Sequence, residues 1–108
     1  MRMTEDITSY TKVLLTYDII PETQESYYQF MLGELVPAVQ KMGLGMAEAW
    51  HTAVGDYPLR LVAFVGESRE TVDEVIGSEK WEELESRLQQ YVTNYTRRVV
   101  PFRNRFQF

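Results

Sequence analysis

The sequence predicts an α+β domain whose elements run β-α-β-β-α-β, and three observations carry that prediction. The run "KVLLTYDII", residues 12 to 20, is β-branched and aliphatic and stops at Pro21, as a strand does. The apolar residues then switch to helical spacing. Further on, "MAEAWHTAV" and "LRLVAFV" flank the turn chemistry of "GDYP", which reads as a β-hairpin.

Taken in order, residues 1 to 11 are polar and patternless and are expected to form a flexible arm before a single domain over 12–108. In the first strand Val13, Leu15, Tyr17 and Ile19 share one face and Leu14, Thr16 and Asp18 the other. From about Thr23 to Met42, Tyr27, Met31, Leu35 and Met42 form an apolar stripe that Tyr28, Leu32, Val36 and Val39 widen. Pro37 cannot donate to the carbonyl of Gly33, so a kink is expected there, and "GLG" at 43 to 45 ends the helix. In the hairpin Met46, Trp50, Thr52 and Val54 alternate with Ala47, Ala49, His51 and Ala53. Ser68 caps a short helix from Arg69 to Ile76 that Gly77 closes, and Ser78 caps a second. That second helix is expected to run far, since Trp81, Leu84, Leu88, Tyr91, Tyr95 and Val99 recur at spacings of three and four until Pro101. "FRNRFQF" then alternates as a fourth strand, Phe102 to Phe108. This order is the ferredoxin-like arrangement, two helices on one face of a four-stranded antiparallel sheet.

Composition narrows the function. The 108 residues suit one domain, and 44% hydrophobic with 25% charged residues is ordinary globular composition. A net charge of -5 provides no basic footprint for nucleic acid or an anionic membrane. With no cysteine, disulfides, thiolate catalysis and Cys-based metal sites are excluded. No apolar run approaches the roughly 18 residues of a spanning helix, and the amino terminus has no apolar signal region. A soluble, cytoplasmic protein is expected.

The first and third strands are apolar on both sides, since Val62 and Phe64 oppose Leu61, Ala63 and Val65. Two helices cover one sheet face only, and each such side chain left in water forgoes about 1.5–3 kcal/mol. A twofold dimer with its sheets face to face is the expected solution.

The block "YDIIPETQESYYQFMLGELVPAVQKMG", the hairpin "AWHTAVGDYPLRLVAF" and the later "SEKWEEL" resemble the dimeric α+β-barrel superfamily, above all its NIPSNAP-like members. The resemblance covers residues 12 to 108. It implies a homodimeric barrel with a ligand cavity between sheet and helices. It also implies a kinship with antibiotic-biosynthesis monooxygenases, which act on quinol-type substrates without a cofactor. The haem-degrading branch carries a haem-ligating histidine on its second helix; residues 68 to 98 hold none, so haem is not expected, and the resemblance to cofactor-independent enzymes implies no other cofactor.

His51, the single histidine, is the candidate catalytic acid or base, because an imidazole titrates near neutrality. Ala47, Ala49 and Ala53 beside it leave either room for a ligand or close contact with another layer, and a histidine hydrogen-bonded inside the dimer or at its rim fits the same residues. Tyr17, Trp50 and Trp81 are the candidate ligand-binding aromatics, suited to a flat, mostly apolar molecule, although core packing accounts for most aromatic residues at helical spacing. Arg60, Arg103 and Arg105 offer charge to an anionic group on a ligand, although strand edges also carry arginines merely to stay soluble. One histidine with scattered Asp18, Glu48, Asp56 and Glu67 has no metal-ligand spacing, and no GxSxG is present. The two functional classes that remain are a cofactor-independent monooxygenase and a non-catalytic ligand-binding or interaction protein.

Overall fold

A computed structural model describes residues 10–54 and 57–101, with the backbone alone for 50–54 and 57–58. The chain forms β1 (Thr11–Ile19), a 3-10 turn (Pro21–Thr23), α1 (Gln24–Phe30), a π-helical turn (Met31–Leu35) and α2 (Val36–Lys41). It continues with β2 (Gly45–Val54), β3 (Tyr57–Gly66), α3 (Arg69–Ile76), α4 (Glu79–Leu88) and β4 (Val92–Pro101). The four strands form one antiparallel sheet in the order β2-β3-β1-β4. The ferredoxin-like α+β expectation is met.

Strand β1 sits at the centre of the fold, and its alternation sets the two faces. Val13, Leu15, Tyr17 and Ile19 are buried under the helices, while Lys12, Leu14, Thr16 and Asp18 are half-buried on the other side. On β3, Val62 and Phe64 pair with Leu15 and Val13 and share their face. Against these pack Tyr27, Phe30, Met31, Leu35 and Val39 from the first helical segment and Trp81, Leu84 and Leu88 from α4.

The helix over residues 24–41 is continuous but not uniform. Pro37 leaves the Gly33 carbonyl without its usual donor, and its ring crowds the preceding turn. The strain is accommodated by a wider turn, in which the Val36 N–H bonds the Met31 carbonyl five residues back. Gly43, with φ +113, stops α2 in a conformation that favours glycine. Ser68 accepts from the Thr71 N–H at 3.1 Å and Ser78 from the Trp81 N–H at 3.2 Å, so both expected caps are present.

One expectation is overturned. The second long helix does not continue to Val99: α4 ends at Leu88 and residues Val92–Pro101 form β4. The spacing of four between Tyr91, Tyr95 and Val99 is common to a helix and to every second pair of a strand, and the β-branched Val92, Thr93, Thr96, Val99 and Val100 decide for the strand. Asn94, at φ 56, forms a bulge that shifts the β1–β4 register between Thr16 and Asp18, and its side-chain amide donates to Asp18 at 2.8 Å. The fourth strand is therefore this segment. The Phe102 to Phe108 strand lies outside the described residues, as does the amino-terminal arm except for Tyr10 and Thr11, the latter already in β1.

Candidate functional site

The covered interior is polar at one end. Tyr17, near the end of β1, meets Tyr27 from the first turns of α1, and their hydroxyls hydrogen-bond at 2.6 Å. Their rings pack edge to face with centroids 5.8 Å apart. Tyr28 packs edge-on against Tyr27 at 5.0 Å, and Tyr95 stacks on Tyr17 from β4 at 6.2 Å. Arg60 of β3 is the register partner of Tyr17 and holds its guanidinium 5.5 Å from the centre of the Tyr28 ring. Its Nε is buried and has no hydrogen-bond partner.

Burial governs the ionisation of these groups. It pushes the Tyr17 hydroxyl far above the ordinary tyrosine range, with Tyr27 adding to the rise and Arg60 opposing it. Burial also raises Tyr27, but the Tyr17 hydroxyl and the Arg60 charge both favour its phenolate and pull it back. Tyr95 is raised by burial and by Glu85, whose carboxylate accepts its hydroxyl at 2.7 Å and is held by Arg97 at 2.8 Å. At neutral pH these tyrosines are hydrogen-bond donors and acceptors rather than charges.

The register settles where the sequence candidates stand. His51 pairs with Arg60 and Ala49 with Val62, so residue 51 lies in the row of the helix-covered face that also holds Tyr17 and Arg60. Trp50 pairs with Leu61 and falls on the opposite face. The side chains of Trp50 and His51 lie outside the described residues. Ala49 is exposed although its partner Val62 is buried, so the helical layer leaves this part of β2 uncovered.

Trp81 is buried in the core, and its indole N–H has no hydrogen-bond partner. It stands apart from the tyrosines. Arg87 holds Glu34 with bonds of 2.7 and 3.0 Å and lies over the Phe30 ring, while Ser78 reaches Met42, so α4 runs antiparallel to the first helical segment. From the Arg87–Glu34 pair, Trp81 and Tyr27 each lie roughly two turns away in opposite directions. The structure thus brings together Tyr17 and the His51 position, and brings neither Trp50 nor Trp81 to them.

Tyr27, Tyr28 and Arg60 complete the cluster. Arg60 had one readable signal: it shares parity with Val62 and Phe64 in "LRLVAFV", which puts a charge on the apolar face. The Tyr17–Tyr27 contact had none, because it depends on how helix and sheet pack. Among the described residues no group of three or more potential metal ligands gathers, and no helix is long and apolar enough to cross a membrane.

A two-helix layer over one face of a four-stranded antiparallel sheet is the ferredoxin-like α+β fold, and solved structures of NIPSNAP-like and antibiotic-biosynthesis-monooxygenase-like proteins share it. Among solved structures, a conserved protein from Methanosarcina mazei is similar over 94% of this chain and 100% of its own, with a TM-score of 0.70 and 10% identity. A candidate antibiotic biosynthesis monooxygenase from Caulobacter crescentus aligns over 91% of this chain and 93% of its own, at TM-score 0.68 and 11% identity. An uncharacterized NIPSNAP-like domain protein from Burkholderia xenovorans aligns over 94% and 90%, at 0.64 and 14%. No family model and no curated protein sequence matches the chain. Identities this low carry the fold alone.

Proposed function

We propose that the chain is a homodimeric α+β-barrel protein that binds a small aromatic or quinol-like molecule at the tyrosine end of its interior and oxidises it with dioxygen without a bound cofactor. The observation that carries the binding site is the Tyr17–Tyr27 hydroxyl pair beside an Arg60 guanidinium with an unpartnered Nε, in the row that holds His51. Aromatic walls with a few fixed hydroxyls favour a flat ring bearing its own hydroxyls. In this reading His51 takes the ring hydroxyl's proton, since an imidazole is the one side chain here with an ordinary pKa near neutrality. The oxygenation step comes from likeness in fold to proteins named as antibiotic biosynthesis monooxygenases.

The dimer rests on the open face. Leu14, Leu59, Leu61, Val65 and Val100 line it, and the Trp50 position falls among them. Leu59 is 38% exposed, and covering this patch with a second copy removes an apolar surface unusual for a monomer. Sedimentation at micromolar concentration is expected to give a dimer, which Leu61→Glu converts to monomer. A parent protein that sediments as a monomer contradicts it.

The ligand is tested by a thermal-shift screen of quinols, polyphenols and aromatic acids, because a molecule that binds the folded state alone raises Tm by mass action. A hit that shifts the parent and fails with His51→Ala, and that drives oxygen consumption by the parent, is the expected outcome. A hit without oxygen consumption leaves a binding protein. No hit in the panel counts against the ligand reading.

A further inference from the structure

Most described arginines have a carboxylate partner or open solvent, whereas the Arg60 guanidinium lies over the Tyr28 ring and beside the Tyr27 hydroxyl, with only neutral neighbours among the described residues. Arg69 donates to Asp73 at 3.1 Å, Arg87 grips Glu34 through two bonds, and Arg97 holds Glu85. Arg98 is exposed on the open face, where water serves it. Arg60 is different: among the described residues no carboxylate pairs with it, and its Nε is shut away from water without an acceptor. A buried donor left unsatisfied is destabilising, and more so when charged. Such an N–H marks a place for an acceptor that the described residues do not supply.

We infer that Arg60 is the anion anchor of the site and that the ligand is an aromatic carboxylate. This rests on the reading that the tyrosine end binds an aromatic molecule. The planar guanidinium fork matches a carboxylate through two parallel hydrogen bonds, which a phenol alone does not provide. The guanidinium lies 5.5 Å from the centre of the Tyr28 ring. Beside it, Ala49 is exposed on β2 one step along the same face, so a ring held by the fork has open surface to lie over. Asp18, the nearest acidic position along β1, belongs to the other face with its partner Leu59, so it does not compete for the fork.

The test is calorimetric titration of the full chain with two probes that share a ring and two hydroxyls and differ in one carboxylate, 2,5-dihydroxybenzoate and 1,4-dihydroxybenzene. The parent is expected to bind the carboxylate probe about ten- to a hundredfold more tightly, the range of one charge-assisted contact. In Arg60→Met that preference disappears while 1,4-dihydroxybenzene still binds, which also shows that the variant is folded; Arg60→Lys keeps part of the preference. Equal affinity of the parent for both probes, or a preference that survives Arg60→Met, overturns the anchor and leaves aromatic binding standing. If neither probe binds the parent, the aromatic-ligand reading and the anchor fall together.

Discussion

The two ends of the helix-covered interior are built from different chemistry although the same strands run through both. At the end where β1 starts and β3 finishes, Val13, Phe64, Leu44, Val39 and Val72 pack hydrocarbon on hydrocarbon. The fit is tight enough that a methyl added at Gly66 would meet Val72 and Leu44 at 2.8 and 2.9 Å. At the other end Tyr17, Tyr27, Tyr28, Tyr95 and Arg60 put four hydroxyls and a guanidinium into the same layer. Hydrocarbon alone would have closed that space at lower desolvation cost. The buried tyrosine hydroxyls gather at one end, and the packing of the other end holds them in place.

The comparison is broken most strongly from the apolar side. Leu84→Ala, at a position 1% exposed between the layers, is expected to cost about 2–5 kcal/mol in urea unfolding. Ligand affinity of the folded fraction should be unchanged. A comparable loss of affinity would mean that the two ends are not separable.

High pH probes the polar end. Tyr17, Tyr27 and Tyr95 all hold their protons above the ordinary tyrosine value of about 10. The unfolded chain therefore loses these protons first. Their contribution is complete below about pH 10 and drains away as pH rises toward the folded values, by about 1.4 kcal/mol per pH unit for a fully buried hydroxyl and less for Tyr95. Tm should fall across that window, and phenolate absorbance at 295 nm for these residues should appear with unfolding and not before it. Titration of all seven tyrosines in the native protein near pH 10 would refute the burial.

Tyr27→Phe leaves the Tyr17 hydroxyl buried without its partner, and the expected loss is about 1–3 kcal/mol. Replacing both tyrosines with phenylalanine should cost less than the sum of the two single changes, as a double-mutant cycle would show. Strict additivity would mean that the hydroxyl pair is not coupled. The smallest effect belongs to the exposed Glu34–Arg87 pair, where Glu34→Gln should leave Tm nearly unchanged because water and salt screen such a contact.

How much of this was legible in the sequence follows from the range of the forces involved. The parity of β1, the caps at Ser68 and Ser78 and the stop at Gly43 depend on neighbours a few residues away, and all were readable. The extent of α4 was misread because residues 91, 95 and 99 satisfy both periods, and the β-branched run between them was the better guide. The site was half legible. Tyr17 and His51 stood out as residue types, but that they share a face while Trp50 does not depends on the bulge between Met46 and Glu48, which resets the β2–β3 register. Trp81 looked like a ligand contact by size; packing placed it toward the Met42 end, away from the tyrosines.

The central claim is that ligand chemistry belongs to the tyrosine end alone. The most direct test is backbone amide chemical-shift mapping of the labelled protein titrated with 2,5-dihydroxybenzoate. Saturable shifts concentrated at Tyr17, Tyr27, Tyr28, Ala49, His51 and Arg60, with Val39, Val72 and Trp81 still, are the predicted result. Shifts centred on Trp81 and Val72, or spread over the open face around Leu61, would contradict it.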